Sequence, residues 1–216
     1  MKNLKIILII CVILIGVTDI VLYHYSLDLF SQYDEISQGT SDNQQFTENL
    51  KNASIYEEEW YNSMDKGVMF KLNSNLHSPS SLNKSLPEIK SLLAKSKDAN
   101  ENTLKHLNNC QEYATSDAEK QYIDLLIQKA NINKKIYDSY AKMMSEYEKF
   151  ATKKLSAAEL SVKMTDAKQD LIDNNAIDTD QAALDTKISK LLKDNPDFQK
   201  KLESMNISPS FLGQSY

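Results

Sequence analysis

The sequence predicts an all-α protein in which a single N-terminal transmembrane helix leads into an elongated antiparallel helical bundle. Three observations carry that expectation. From Leu4 to Tyr25 only Lys5, Thr18, Asp19 and His24 are strongly polar or charged. The whole chain of 216 residues holds only four glycines and four prolines, and no run alternates with the period of two that a half-buried strand needs. Apolar residues recur instead at three- and four-residue spacing, which gathers them on one helix face.

The first element is the apolar run itself. Rising ~1.5 Å per residue as a helix, it spans roughly the 30 Å hydrocarbon core of a bilayer. Lys2 and Lys5 sit at its start, whereas Asp28, Asp34 and Glu35 follow it and the next lysine is Lys51. The positive-inside rule then places the N-terminus in the cytoplasm, with Tyr23 and Tyr25 in the outer aromatic belt. The expected organisation is a cytoplasmic tail over 1–5 and a signal anchor over 6–25. A juxtamembrane extension and linker follow over 26–41, an extracytoplasmic bundle over 42–195, and a short helix with a flexible tail over 196–216. A cleaved signal peptide shares the charged start and apolar middle, but Gly16, Val17, Thr18 and Asp19 make a poor cleavage site beside an A-x-A-like pattern. Asp19 is the odd residue of the run, because a carboxylate deep in a bilayer costs several kcal/mol. It lies about six residues, roughly 9 Å, from Tyr25 and so reaches the interface; the other reading is a polar contact with a second membrane helix.

In the bundle, Phe46, Leu50, Ala53, Trp60, Met64, Val68 and Leu72 form one stripe on a helix of about residues 42 to 76, with Ser41 and Gln44 as its capping box. His77 to Lys84, with Pro79 among serines, reads as a loop. Ser85 and Glu88 then repeat the box, with Pro87 tolerated in a first turn. The next stripe is Ile89, Leu93, Ser96, Leu104, Leu107 and Ala114, with Cys110 at its edge. A third box, Ser116 and Glu119, opens the most regular stripe of the chain, from Tyr122 through Leu126, Ile132, Ile136, Met143 and Tyr147 to Phe150. A fourth, Ser156 and Glu159, places a break near 152–155, the alternative being one continuous helix. Leu160, Met164, Ala167 and Leu171 follow, ended by Asn174 and Asn175. A shorter helix carries Ala183, Ile188, Leu191 and Leu192 and stops before Pro196, and residues 206–216 read as a loosely held tail.

Composition narrows the function. Against 30 acidic residues the 25 basic ones are all lysine, for a net charge of −5, and no basic block exists to meet nucleic acid. Without arginine there is no guanidinium fork for bidentate phosphate recognition. Cys11 lies in the membrane run and Cys110 outside it, so no intrachain disulfide forms. Cys110 is either a small buried filler or an intermolecular bridge. Asn-x-Ser sequons at Asn52 and Asn83 are candidates for glycosylation; a third, at Asn206, is weakened by Pro209 after its serine.

Site chemistry is sparse. His106 and Cys110 share a helix face at ligand spacing, but no second pair completes a metal site, and His106 reads as a solvated flank. Glu57, Glu58 and Glu59 read as a solvated face beside a buried tryptophan, since consecutive helical residues point ~100° apart. Trp60, Tyr137, Tyr140, Met143, Met144 and Tyr147 could line an apolar groove for a ligand or partner helix, although helix-spaced aromatics and Met are more often plain core. There is no Gly-rich phosphate loop, G-x-S-x-G or H-E-x-x-H. The expectation is therefore a non-catalytic, cofactor-free and metal-free protein of the cell membrane that binds or scaffolds at the envelope. Its partners would be lipid, through the N-terminal helix, and an envelope or membrane protein. A homo-oligomer along exposed stripe residues remains open, and the alternative function is a sensory or ligand-binding module that signals through a membrane partner.

Overall fold

The computed structural model describes residues 41–173, 178–207 and 209–213. The chain divides into two units, Met1–Gln44 and Gln45–Tyr216, and the contacts given below lie within the second. The expected anchor over 6–25, Asp19, and the end of the fifth helix at Asn174 and Asn175 fall outside the described residues. Among the described residues the protein is all-helical with its helices packed together, no strand occurs, and no helix is long and apolar enough to cross a membrane.

Residues 41–63 form α1. Ser41 is already helical, so it is no cap. The helix expected to run unbroken to 76 instead passes through a π-helical turn, Met64–Met69, before α2, Phe70–Asn75. The cause is in the stripe. Trp60, Met64, Val68 and Leu72 step by four each time, and at 100° per residue each step drifts ~40° off the buried face of an α-helix. An i→i+5 turn takes up the excess, and all four side chains are buried. Gly67 sits in this turn, where a Cβ would meet Leu92 Cδ1 at 3.1 Å, so the small residue permits close approach of the next helix.

That helix, α3, is Pro79–Tyr113. The expected loop over 77–84 is thus much shorter, and Ser85 with Glu88 is no cap. Ser78 is the N-cap, its Oγ accepting from the Ser81 N–H at 3.3 Å, and Pro79 takes the first helical position, where its missing N–H costs nothing. Leu82 and Leu86 extend the stripe backwards from Ile89 and are buried, which favours helix through this stretch. Pro87 therefore lies inside the helix and deprives the Asn83 carbonyl of its donor; both residues are on the exposed side, where solvent can substitute.

The box at Ser116 and Glu119 forms as expected and opens α4, Asp117–Ala151. The break also falls where expected. Lys153 adopts a left-handed φ of 59°, and its N–H bonds the Phe150 carbonyl at 2.9 Å to stop α4. Ser156 and Glu159 then exchange side-chain and backbone hydrogen bonds at the start of α5, Ala157–Asp173. After α6, Asp178–Asp194, Pro196 both ends one helix and opens the next, α7, Pro196–Ser204.

Residue pairings show that neighbours run antiparallel. Along α1 and α2, Phe46 meets Cys110, Asn49 meets His106, Met64 meets Ser96 and Lys71 meets Glu88, so partner numbers fall as the first number rises. Gln111 with Asp124 and Lys90 with Glu148 do the same for α3 and α4, and Lys129 with Asp185 and Asn133 with Gln181 for α4 and α6. Helix α4 is central, touching α3, α5 and α6.

Of the expected tail over 206–216, residues 206, 207 and 209–213 are described, and this part packs against the helices. After Asn206, at a left-handed φ of 53°, Ile207 is buried, and a 3-10 turn, Pro209–Leu212, buries Ser210 and Phe211. The fully buried Tyr122 donates its hydroxyl to the Phe211 carbonyl at 2.7 Å. A phenol enclosed in apolar surroundings needs such a partner, and the segment supplies it.

Candidate functional site

The core consists of two apolar clusters. One gathers Trp60, Met64, Leu93, Ile136, Tyr147 and Leu160; the other gathers Phe46, Leu107, Tyr122, Leu126, Ile188 and Phe211. Where each helix passes from one cluster to the other, the stripe turns polar. On α1 this stretch holds Ser54 and Glu57, on α3 Asn100 and Thr103, on α4 Lys129 and Asn133, all buried. On α6 Asp185 lies between Leu184 of the first cluster and Ile188 of the second.

Lys129 organises this layer. Its Nζ donates to Asp185 Oδ1 at 2.6 Å and to the Ser210 carbonyl at 3.0 Å. Ser210 in turn donates its hydroxyl to Glu57 Oε1 at 2.6 Å. Thr103 donates to the Ala99 carbonyl at 3.0 Å and Gln181 to Asn133 Oδ1 at 3.3 Å. The layer therefore ties α1, α4, α6 and the 3-10 turn through charges that are worth little unless paired. The layer matches one helix register to another, since a slip of either partner would bury a charge alone. Asn100 Oδ1 is the buried side-chain oxygen of this region without a hydrogen-bond partner.

The α3–α4 corner carries a second charged arrangement. Glu119 Oε2 accepts from the Thr115 and Ser116 N–H groups at 2.9 and 3.1 Å, and Oε1 accepts from Lys201 Nζ at 2.9 Å, pinning α7 to the corner. Burial alone would raise this carboxyl, but the lysine and the two backbone donors outweigh it and hold the acid at about 2.

Several readings from the sequence change. Glu57 is no solvated residue: it is 4% exposed and bonded to Ser210, while Glu58 faces solvent and Glu59 pairs with Lys95 at 3.0 Å. His106 is half-buried, hydrogen-bonded through Nδ1 to Asn49 Oδ1 at 3.0 Å and stacked on Tyr56. Burial, then Lys105, lower its pKa. Cys110 is a buried filler whose Sγ lies 3.6 Å from the Phe46 carbonyl, and burial pushes its thiol up to about 12.

The candidate groove residues are brought together in the first cluster. Trp60, Met143 and Tyr147 are buried there, with Tyr137, Tyr140 and Met144 partly buried against them. The Trp60 Nε1–H has no acceptor. Burial, then Asp65, raise the Tyr140 phenol, as expected of rings set into a helix interface. A depression of about 500 Å³ lies elsewhere, against the α4–α5 turn, bordered by His77, Phe150, Lys153 and Leu155. Among the described residues no group of three or more His, Cys, Asp or Glu is placed to hold a metal ion. Asn52 and Asn83 both sit on helices; the serine of the first sequon, Ser54, is buried, and that of the second, Ser85, donates to the Ser81 carbonyl.

The residues missed in the sequence are Lys129, Asp185, Ser210 and Lys201. No protein-family profile, curated protein or solved structure matches the chain.

Proposed function

We propose that this chain is a single-pass membrane protein whose elongated antiparallel helical bundle stands outside the cytoplasmic membrane and acts there by binding or scaffolding, without catalysis. The observation that carries the reading is the asymmetry around the apolar run: Lys2 and Lys5 on one side, Asp28, Asp34 and Glu35 on the other. A second line of support is the exposed apolar surface of the bundle, where Ile55, Phe70 and Val162 are each at least 60% exposed. Photo-cross-linkers placed at Phe70 and Val162 in the cell-expressed chain should trap the same envelope protein. Adducts to lipid alone, or to a random sample of proteins, would overturn the reading.

The second reading is a sensory or ligand-binding module that reports through a membrane partner. It is favoured by one feature, the partly exposed Tyr137, Tyr140 and Met144 on the wall of a buried aromatic cluster. Replacing Asp19 by Leu should abolish co-purification of a membrane partner under this reading and leave it unchanged under the first.

A further inference from the structure

The segment after α7 is held as a bound peptide would be held. Its anchors are two buried apolar side chains, Ile207 and Phe211, and its polar contacts are read through the main chain: Tyr122 binds the Phe211 carbonyl and Lys129 the Ser210 carbonyl, at 2.7 and 3.0 Å. Among its described residues, Ser210 is the polar side chain recognised, by Glu57. Ser189 and Gly213 close the far end, where the Ser189 hydroxyl meets the Gly213 carbonyl at 3.2 Å. Gly213 has φ of 71°, and a Cβ there would sit 2.6 Å from the Asp185 carbonyl, so the site also reads the absence of a side chain. We propose that the groove between α1, α4 and α6 is a peptide-recognition site, filled here by the chain's own Ile207 and Pro209–Gly213, which exchanges this occupant for the same segment of a second copy.

Three features support exchange over permanent packing. Asn49 with His106, Gln111 with Asp124 and Lys90 with Glu148 pair α1 with α3 and α3 with α4 without touching the segment, whereas Phe46 and Cys110 share its apolar cluster. Beneath it lie Glu57, Lys129 and Asp185, charged groups that regain water when it leaves, which offsets part of the lost contact. Asn206, just past the C-cap of α7, takes the left-handed φ of 53° that asparagine readily adopts at a helix end, and so marks where the segment turns away from α7. A second copy is the fitting partner because its segment carries the same anchors, and exchange of identical elements is a low-cost route to a dimer. This inference does not depend on the membrane reading.

The test uses the full chain in detergent and a fluorescent synthetic peptide covering residues 205–216. In Phe211→Ala protein the intrachain competitor is weakened, so the peptide should bind at least about tenfold more tightly than to the unaltered protein, and adding Tyr122→Phe should reverse most of that gain. In the unaltered protein, the amides of residues 210–213 should exchange with deuterium at least about tenfold faster than those of Leu126 and Ala130 in α4. The proposal is overturned if those amides exchange together with the α4 amides. It is equally overturned if Phe211→Ala loses its helical signal, or if the variant binds the peptide no more tightly.

Discussion

Replacing Lys129 by methionine tests whether the polar layer holds the bundle in register. The Lys129 and Asp185 side chains are 9% and 13% exposed and 2.6 Å apart. Two unit charges at that distance attract by roughly 6 kcal/mol at an effective dielectric of about 20, and desolvation takes back several kcal/mol per ion. Methionine keeps the length of the side chain but leaves Asp185 without its lysine and the Ser210 carbonyl without that donor, so the expected loss is about 3–5 kcal/mol. With a urea slope of about 2 kcal/mol per molar, the midpoint followed by far-ultraviolet circular dichroism should fall by about 1.5–2.5 M. The double variant Lys129→Met with Asp185→Leu should recover most of the loss, because an apolar pair of similar volume replaces both charges. A single variant costing under about 1 kcal/mol would refute the reasoning, since that is the value of a solvated surface pair.

Three further outcomes follow from the same structure. Glu119, held at about 2 against an ordinary 4.5, stabilises the fold above pH ~4.5, and that contribution should be lost as pH falls toward 2; Glu119→Gln protein should be less stable at neutral pH and show a flatter acid limb in pH-dependent urea titrations. Cys110, fully buried with its thiol pushed up to about 12, should resist a maleimide at pH 8 in folded protein and react as the chain unfolds in urea, read by mass spectrometry. At Gly67, alanine should change stability by no more than about 1 kcal/mol, as its helix propensity offsets the contact with Leu92, whereas leucine should cost about 1–3 kcal/mol or more by overpacking, both read from urea midpoints.

The helical elements were legible because a stripe of period 3.6 and a Ser-x-x-Glu box are local signals, and Ser116 with Glu119 and Ser156 with Glu159 form the bonds their spacing implies. Ser85 with Glu88 misled for a local reason too: Ser78 and Pro79 offered a better start, and Leu82 and Leu86 rewarded helix before it. The π-helical turn was written in the repeated step of four from Trp60 to Leu72, a signal visible once the phase is followed and not merely the spacing. The polar layer had a trace as well, since Glu57, Asn100, Thr103, Lys129 and Asn133 occupy stripe positions where apolar residues belong. Which of them pair is set by Asp185 and Ser210, far along the chain, and periodicity carries no information on such distant partners. The packed segment around Phe211 was hidden for the same reason: its small size and proline suggest a tail, and only the unsatisfied hydroxyl of a buried Tyr122 calls for it.

The topology claim has a direct test. Cys110 is a poor reporter because it is buried, so a chain with Cys11 and Cys110 replaced by alanine should carry a new cysteine at the exposed Lys120 or, separately, at Lys2. With a membrane-impermeant maleimide applied to intact cells, the account predicts that Lys120→Cys is labelled at once and Lys2→Cys only after lysis. Labelling of Lys120→Cys only after lysis would contradict it.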